Sequence, residues 1–160
     1  MNNIVLCGFM GCGKSTVGKN IARKSGRKFL DMDSYIEEKA GMTVSEIFEK
    51  YGEEKFRDME HDACVELAGL EGLVIASGGG AFTFKRNVEA FKGKIVFLDV
   101  PLGIIKSRLK NDTTRPLLQR PDRDRVMKDL YDSRYPIYHA AADIVVKGKN
   151  TPLKTAFAII

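Results

Sequence analysis

Residues 8–15 read Gly8-Phe9-Met10-Gly11-Cys12-Gly13-Lys14-Ser15 and indicate more about this chain than any other segment. They fit a pattern of one glycine, any four residues, and then glycine, lysine and serine or threonine. Glycines let the backbone turn successive N–H groups inward, where they and the following helix N-terminus hold phosphate oxygens. The lysine reaches the β- and γ-phosphates of a nucleotide, and the hydroxyl binds Mg²⁺. We interpret residues 8–15 as a phosphate loop that binds ATP.

The residues on either side of the loop supply the context that this pattern requires. Ile4-Val5-Leu6-Cys7 is a short apolar run that predicts a buried strand. A helix is predicted to begin near Lys14 and to end at Ser25-Gly26, where the glycine is a C-terminal signal. The alternative is a glycine-rich turn that binds no ligand, but the strand–loop–helix context favours phosphate binding.

Strands and helices alternate along the rest of the chain. Further strands are predicted at Phe29-Leu30, Leu73-Val74-Ile75-Ala76, Ile95-Val96-Phe97-Leu98 and Ile144-Val145-Val146. Helices are predicted from Thr43 to near Gly52, over 53–70, after Pro101, from about 123 to Ala141, and from Thr151-Pro152 onward. Because the strands are apolar throughout, we predict an α/β fold with a parallel sheet covered on both faces. The 160 residues are expected to form a single domain, 1–160.

Composition excludes several classes of partner. The formal charge of +5 is modest, and no basic run is interleaved with aromatic residues, so we expect no nucleic-acid binding. No apolar window is long enough to span a membrane, and the start carries no secretory signal, so we expect a cytoplasmic protein. The cysteines are Cys7, Cys12 and Cys64; without a C-x-x-C pair they predict reduced thiols rather than a zinc site.

Two carboxylates follow the second predicted strand. Asp31 and Asp33 stand two positions apart, which in an extended segment places both on one face. If this strand neighbours the first, both lie at the carboxyl edge of the sheet, where ligands bind. One could hold Mg²⁺ through water and the other could take a proton from an attacking hydroxyl. The alternative is that Asp33 or Ser34 caps the next helix and Asp31 is a solvated turn residue.

Arginines and glycines elsewhere suit an anionic ligand. Arg57 has Glu60 three positions later on a predicted helix, and an ordinary surface ion pair is the alternative. Gly78-Gly79-Gly80 follows a buried strand and would let backbone N–H groups approach a small ligand, whereas a flexible turn is the alternative. Residues 111–122 are predicted to form a lid loop that brings Arg115 to ATP on closing. Arg134, near Pro136, is a further candidate to bind the anion. The alternative is that it is an ordinary exposed arginine.

Taken together, these segments resemble shikimate kinase over nearly the whole chain. The resemblance is carried by the phosphate loop, Asp31-Met32-Asp33, Gly52-Glu53 with Phe56-Arg57 and Glu60, Gly78-Gly79-Gly80, Arg115-Pro116-Leu117-Leu118 and Arg134-Tyr135-Pro136-Ile137-Tyr138. It implies ATP-dependent phosphorylation of the 3-hydroxyl of shikimate, on the route to chorismate and the aromatic amino acids. It also implies a monomer with a three-layer α/β/α P-loop kinase fold, sheet order 2-3-1-4-5, and substrate-binding helices over about 33–62.

The resemblance also implies a set of functional residues. Lys14, Asp33 and Arg115 are the catalytic candidates. Asp33, Arg57, Gly79, Gly80 and Arg134 would bind shikimate, while Ser15 and Asp31 would hold one Mg²⁺. The residues that would contact ATP are Gly11, Cys12, Gly13, Lys14, Ser15, Thr16, Arg108, Arg115 and Pro152. Of these, Arg108 and Pro152 match positions that flank adenine. Cys12 stands where a smaller residue is common, and Asn150 departs from a frequent arginine near adenine.

Two other functions stay open on the sequence. Another small-metabolite kinase, such as one for gluconate, shares the phosphate loop and also acts on a polyhydroxy acid. A nucleotide-binding regulatory module without catalysis is the second alternative, although the intact Lys14, Asp33 and Arg57 argue against it.

Overall fold

The fold is described from a computed structural model that covers residues 1–113 and 115–148. Its strands are β1 (Ile4–Cys7), β2 (Lys28–Asp31), β3 (Leu73–Ala76), β4 (Lys94–Asp99) and β5 (Ile144–Lys147). Its helices are α1 (Lys14–Ser25), α2 (Met32–Ala40), α3 (Val44–Ala68), α4 (Lys85–Ala90), α5 (Leu102–Arg108) and α6 (Arg123–Ala141). Two short 3₁₀ turns occupy Ala81–Thr83 and Pro116–Gln119.

The five strands form one parallel sheet in the order β2-β3-β1-β4-β5. This confirms the predicted fold class and strand order. The central strands are buried because helices cover both faces: β3 is buried at all four positions and β4 at four of six. Of the edge strands, β2 is partly buried and β5 is exposed at three of its four positions. All strands point the same way, so the segments that follow β1, β2 and β3 meet at one edge.

Local signals fix where the helices begin and end. Gly26 closes α1 in the left-handed conformation, and its N–H donates to the carbonyl of Ala22. The hydroxyl of Thr43 accepts the Glu46 N–H at 3.1 Å, which confirms the predicted start of α3. At Gly52 the backbone leaves helical geometry, so α3 consists of two helical segments as the sequence predicts.

Some elements differ from the sequence-based prediction. The short helix α4 was not predicted, and the expected loop over 111–122 contains a 3₁₀ turn. Helix α6 runs through Pro136 to Ala141, which confirms its predicted extent. The closing helix predicted at Thr151-Pro152 lies outside the described residues. Within the described part, no helix is long and apolar enough to cross a membrane.

Candidate active site

A cavity of about 430 Å³ opens at the carboxyl edge of the sheet. Its wall joins the phosphate loop, the ends of β2 and β3, and the helices α3 and α6. Twelve residues expected from the sequence line it: Gly11, Gly13, Lys14, Ser15, Thr16, Asp31, Asp33, Arg57, Gly79, Gly80, Arg115 and Arg134. Residues separated by more than a hundred positions in the chain are thereby brought together in one site.

The phosphate loop has the backbone that its glycines predict. Gly13 lies at φ 97° immediately before α1, a backbone conformation that residues other than glycine rarely adopt. The Lys14 ammonium donates to the carbonyls of Gly8 at 2.7 Å and Phe9 at 3.1 Å. The loop therefore holds the lysine amine at its own mouth, beside the cavity, where a phosphate oxygen can reach it.

Two other residues expected at ATP, Cys12 and Arg108, do not line the cavity. The side chain of Cys12 is buried behind the loop, and its residue does not line the cavity. Arg108 lies outside the cavity but crosses the loop backbone, with Nη1 donating to the carbonyl of Gly11 at 3.2 Å. Pro152 lies outside the described residues.

Asp31 and Asp33 reach the cavity by a route that differs from the prediction. The strand β2 ends at Asp31, and Asp33 belongs to the first turn of α2, so the two do not share the face of an extended segment. Strand β3 also lies between β1 and β2. Asp31, rather than Asp33 or Ser34, caps α2, because its Oδ1 accepts the Ser34 N–H at 3.0 Å. A helix beginning immediately after the strand is what directs both carboxylates into the cavity.

Ser15 and Asp31 form a pair of oxygen donors. The Ser15 hydroxyl donates to Oδ2 of Asp31 at 3.2 Å, so the start of α1 meets the end of β2. Hydroxyl and carboxylate oxygens are the hard ligands that Mg²⁺ prefers, and Mg²⁺ is commonly completed by water and substrate phosphates. The donor set beside the phosphate loop therefore fits a Mg²⁺ ion.

Asp33 is a half-buried carboxylate. Burial, then the neighbouring charge of Asp31, raises its pKa above the ordinary value, while Lys14 and Arg57 act in the opposite direction. Among the described residues, its Oδ1 has no hydrogen-bond partner. An unsatisfied buried carboxylate oxygen at a cavity wall is well suited to accept a hydrogen bond from a hydroxyl of a ligand.

Arg57 is held by two carboxylates and two rings. Its guanidinium donates to Glu60 at 3.0 Å and to Glu53 at 3.4 Å, and lies 5.5 Å and 5.2 Å from the ring centres of Phe56 and Phe84. Glu60 is fully buried, so the pair is not the surface ion pair that sequence spacing left as the alternative. The arginine is fixed in orientation while part of its fork faces the cavity.

Each glycine of the triple-glycine segment lies against different side chains of the site, which approach the position that a Cβ would occupy. A Cβ on Gly78 would lie 2.8 Å from Oδ1 of Asp33 and 3.2 Å from Oε2 of Glu60. On Gly79 it would lie 3.4 Å from the Arg134 guanidinium, and on Gly80 only 2.7 Å from that of Arg57. The segment is therefore a place where the backbone approaches the acidic and basic groups of the site, rather than a simple flexible turn.

Replacing Gly80 by Ala is expected to displace the Arg57 guanidinium and to weaken binding of an acidic ligand about tenfold or more, since a small misplacement in a site is costly. Gly103→Ala is the matched control, because a Cβ there meets nothing within 4 Å. Affinity for the ligand, measured by calorimetry, should fall in the first variant only. Equal affinities in the two variants would mean that displacing the Arg57 guanidinium does not affect binding of the ligand.

Glu60 predicts a pH dependence of stability. Burial has the largest effect and raises the pKa of Glu60. The charges of Arg57 and Arg134 lower this pKa by smaller amounts, and the like charge of Asp33 raises it further. The native protein therefore keeps this proton at pH values where the unfolded chain has lost it, and the free energy of unfolding falls as pH rises through that window. Glu60→Gln removes this proton linkage.

The difference in unfolding free energy, variant minus wild type, should then grow as pH rises from about 4 to the raised pKa of Glu60. Urea titrations at several pH values measure it. A difference that is constant or shrinks with pH would contradict the burial effect.

Arg115 and Arg134 complete the basic wall. Arg115 is the N-cap of the 3₁₀ turn, and its guanidinium and backbone N–H both donate to Asp112. Arg134 projects from α6 beside Gly79. Both arginines thus line the same cavity, as the sequence led us to expect.

Seven residues of the cavity wall were not assigned to the site from the sequence, although several of them lie in segments that the sequence singled out. They are Met10, Val44, Phe56, Glu60, Ala76, Ser77 and Gly78. Glu60 carried a detectable signal in its spacing from Arg57, for which a surface ion pair was the alternative. The apolar members gave none, since a core position and a cavity wall share the same residue types.

Comparisons in sequence and in structure relate this chain to known proteins. A family model for shikimate kinase matches residues 10–160. A shikimate kinase of a Sulfurihydrogenibium species is 44% identical over 154 residues, which cover 95% of this chain and 92% of that protein. The structure of the shikimate kinase from Acinetobacter baumannii in complex with shikimate aligns with a TM-score of 0.93 and 39% identity, over 99% of this chain and 90% of the other.

A gluconokinase from Sinorhizobium meliloti also aligns, with a TM-score of 0.58 and 18% identity over 98% of this chain and 90% of the other. At that identity the likeness reflects the shared fold alone. The similarity in sequence and in structure is much greater to the two shikimate kinases.

Proposed function

This chain belongs to the shikimate kinase family, and from that premise we propose that it transfers the γ-phosphoryl group of ATP to the 3-hydroxyl of shikimate. The products are shikimate 3-phosphate and ADP, and the reaction serves the synthesis of chorismate and the aromatic amino acids. The observation that carries this function is the shared cavity, in which the phosphate loop faces Asp33, Arg57 and Arg134.

The acceptor is held by groups that match its chemistry. Shikimate is a small ring with one carboxylate and three hydroxyls. Arg57 and Arg134 suit the carboxylate, because a guanidinium donates in a planar fork. Asp33 would accept a hydrogen bond from the reacting hydroxyl, and the backbone of Gly79 and Gly80, which lines the cavity, would contact the ring. The rigid support of Arg57 by Glu60 sets the position of the carboxylate relative to the phosphate loop.

The transfer step forms a bond between the acceptor oxygen and the γ-phosphorus and breaks the bond from that phosphorus to the β–γ bridging oxygen. The hydroxyl proton passes to Asp33, whose raised pKa makes it a better proton acceptor than an exposed aspartate. Lys14 and Arg115 stabilise negative charge on the phosphoryl oxygens. Since the transition state of such transfers is loose, alignment by Asp33 contributes alongside its basicity.

Ser15 and Asp31 are the residues that would hold Mg²⁺, the serine through its hydroxyl and the aspartate through water. When bound, the ion neutralises charge on the β- and γ-phosphates. The 3.2 Å contact between the two side chains keeps both oxygens at the mouth of the phosphate loop.

The segment 111–122 is proposed to act as the lid, with Arg115 as its contact to ATP. Its closure would exclude water and so limit hydrolysis of ATP when no acceptor is bound. Arg108 and Pro152 are proposed to flank adenine, and Cys12 and Thr16 to contribute backbone groups to the phosphates. We further propose a single-domain, cytoplasmic monomer that binds neither nucleic acid nor membrane, and sedimentation velocity tests its monomeric state.

An assay of ADP release with shikimate, with gluconate and without an acceptor tests the function. Rapid release with shikimate alone is the expected result. Rapid release with gluconate would identify a different small-metabolite kinase. Nucleotide binding without acceptor-dependent release would instead indicate a regulatory module.

A further inference from the structure

Tyr138 is a fully buried tyrosine that connects α6 to the triple-glycine segment. Its side chain is 2% exposed, and its hydroxyl donates a hydrogen bond to the carbonyl of Gly79. Its ring packs against Phe97 of β4 with the centres 5.2 Å apart. A rigid aromatic ring fixed to the sheet thus presents one donor to one backbone oxygen of the proposed shikimate site.

The triple-glycine segment has little rigidity of its own, because glycine restricts backbone dihedrals least of all residues. Its other polar contacts hold it from different sides. Ser77 ties its start to β1 through two hydrogen bonds to the carbonyl of Leu6, at 3.0 Å and 2.8 Å. The carbonyls of Gly78 and Gly80 accept hydrogen bonds within the following turn, from Ala81 and Thr83. The Gly79 carbonyl is oriented by Tyr138.

Gly79 lies between the two halves of the site. The position of a Cβ on Gly79 would be 3.4 Å from Nη1 of Arg134 and 3.9 Å from the backbone nitrogen of Met10 in the phosphate loop. A small rotation of the Gly79 peptide would therefore change the backbone near both the acceptor arginine and the nucleotide loop.

Arg134 itself lies one helical turn before Tyr138, on the same side of α6. Burial raises the pKa of the Tyr138 phenol well above its ordinary value, and the adjacent Arg134 guanidinium only partly offsets this. The phenol thus stays protonated and remains a donor to Gly79. One side chain therefore lies against both the backbone and the arginine expected to contact shikimate.

We propose that Tyr138 is a positioning residue for the acceptor. It fixes the orientation of the Gly79 peptide and of the neighbouring Arg134 relative to the phosphate loop. It does not touch the reacting atoms. This inference rests on the proposed function, because it assigns Gly79 and Arg134 to the binding of shikimate.

Tyr138→Phe removes only the hydroxyl and leaves the ring on Phe97. Tyr135→Phe is the matched control: Tyr135 lies one turn earlier on α6, and its hydroxyl donates to the Asp99 carboxylate at 2.7 Å, away from the cavity. Tyr138→Phe loses the buried hydrogen bond to Gly79, and Tyr135→Phe loses the half-buried bond to Asp99 together with a 3.2 Å contact to His139. A purely structural effect should therefore appear in both.

The experiment measures KM for shikimate, KM for ATP, shikimate affinity by calorimetry, and the unfolding midpoint for wild type and both variants. We expect Tyr138→Phe to raise KM for shikimate and weaken its binding about tenfold, as misoriented binding groups would. KM for ATP should stay within about twofold, and Tyr135→Phe should leave both KM values unchanged.

Two results would overturn the inference. One is a shikimate KM in Tyr138→Phe equal to that of Tyr135→Phe, and the other is an equal rise in the KM values for shikimate and ATP. Wild-type protein without shikimate turnover would instead refute the proposed function, so the two failures are distinguishable.

Discussion

The Asp33→Asn variant is expected to lose between about 10²- and 10⁴-fold in kcat with shikimate, the range that a positioned proton acceptor contributes. Asparagine keeps the size of the side chain, so the cavity retains its shape, but the amide neither accepts the hydroxyl proton nor offers two equivalent oxygens. Since Asp33 belongs to α2 and not to the phosphate loop, the affinity for ATP should change little.

Steady-state kinetics and calorimetry with ATP make this comparison. Asp62→Asn is the control, because Asp62 is an exposed carboxylate on α3 that does not line the cavity. Near-normal turnover in Asp33→Asn would remove Asp33 from the chemistry. A large loss of ATP affinity would mean that the aspartate organises the nucleotide site instead.

Arg57→Ala is expected to raise KM for shikimate by about 30-fold or more, since truncating one partner of a buried, hydrogen-bonded charge pair costs about 2–5 kcal/mol and each 1.4 kcal/mol is tenfold. KM for ATP should rise far less. The protein should also unfold more readily, because the fully buried Glu60 loses its charged partner.

Arg86→Ala controls for the loss of an arginine, because Arg86 forms an exposed ion pair with Asp58 at 3.0 Å outside the cavity. Arg57→Lys separates charge from geometry: it keeps a cation beside Glu60 but lacks the planar fork, so its KM for shikimate should lie between wild type and Arg57→Ala. Equal rises in the two KM values of Arg57→Ala would refute its assignment to the acceptor.

Local sequence was enough to predict the regular elements near the site. An apolar tetrapeptide before Gly8 predicts β1, and Thr43 with Glu46 predicts the start of α3; both follow from contacts between residues close in the chain. The phosphate loop belongs to the same class, because its hydrogen bonds join Lys14 to Gly8 and Phe9 only a few positions away. Such interactions are encoded within a short window.

Sequence spacing was misleading where burial determines the behaviour of a residue. Glu60 stands three positions from Arg57, as an exposed pair would, but packing of α3 against the triple-glycine segment leaves it without solvent. Asp31 and Asp33 were expected on one extended face, whereas an early start of α2 turns both into the cavity. Neither outcome can be read from a pattern of three or four residues.

From the sequence alone come the nucleotide loop, the α/β class and, by resemblance, the identity of most residues facing the cavity. The folded chain adds the distances among groups far apart in sequence: Ser15 to Asp31, Gly80 to Arg57, and Tyr138 to Gly79. Those contacts depend on the crossing of strands and helices, which no local pattern specifies. They therefore decide which carboxylates are buried, how Arg57 is oriented and why three successive glycines are needed.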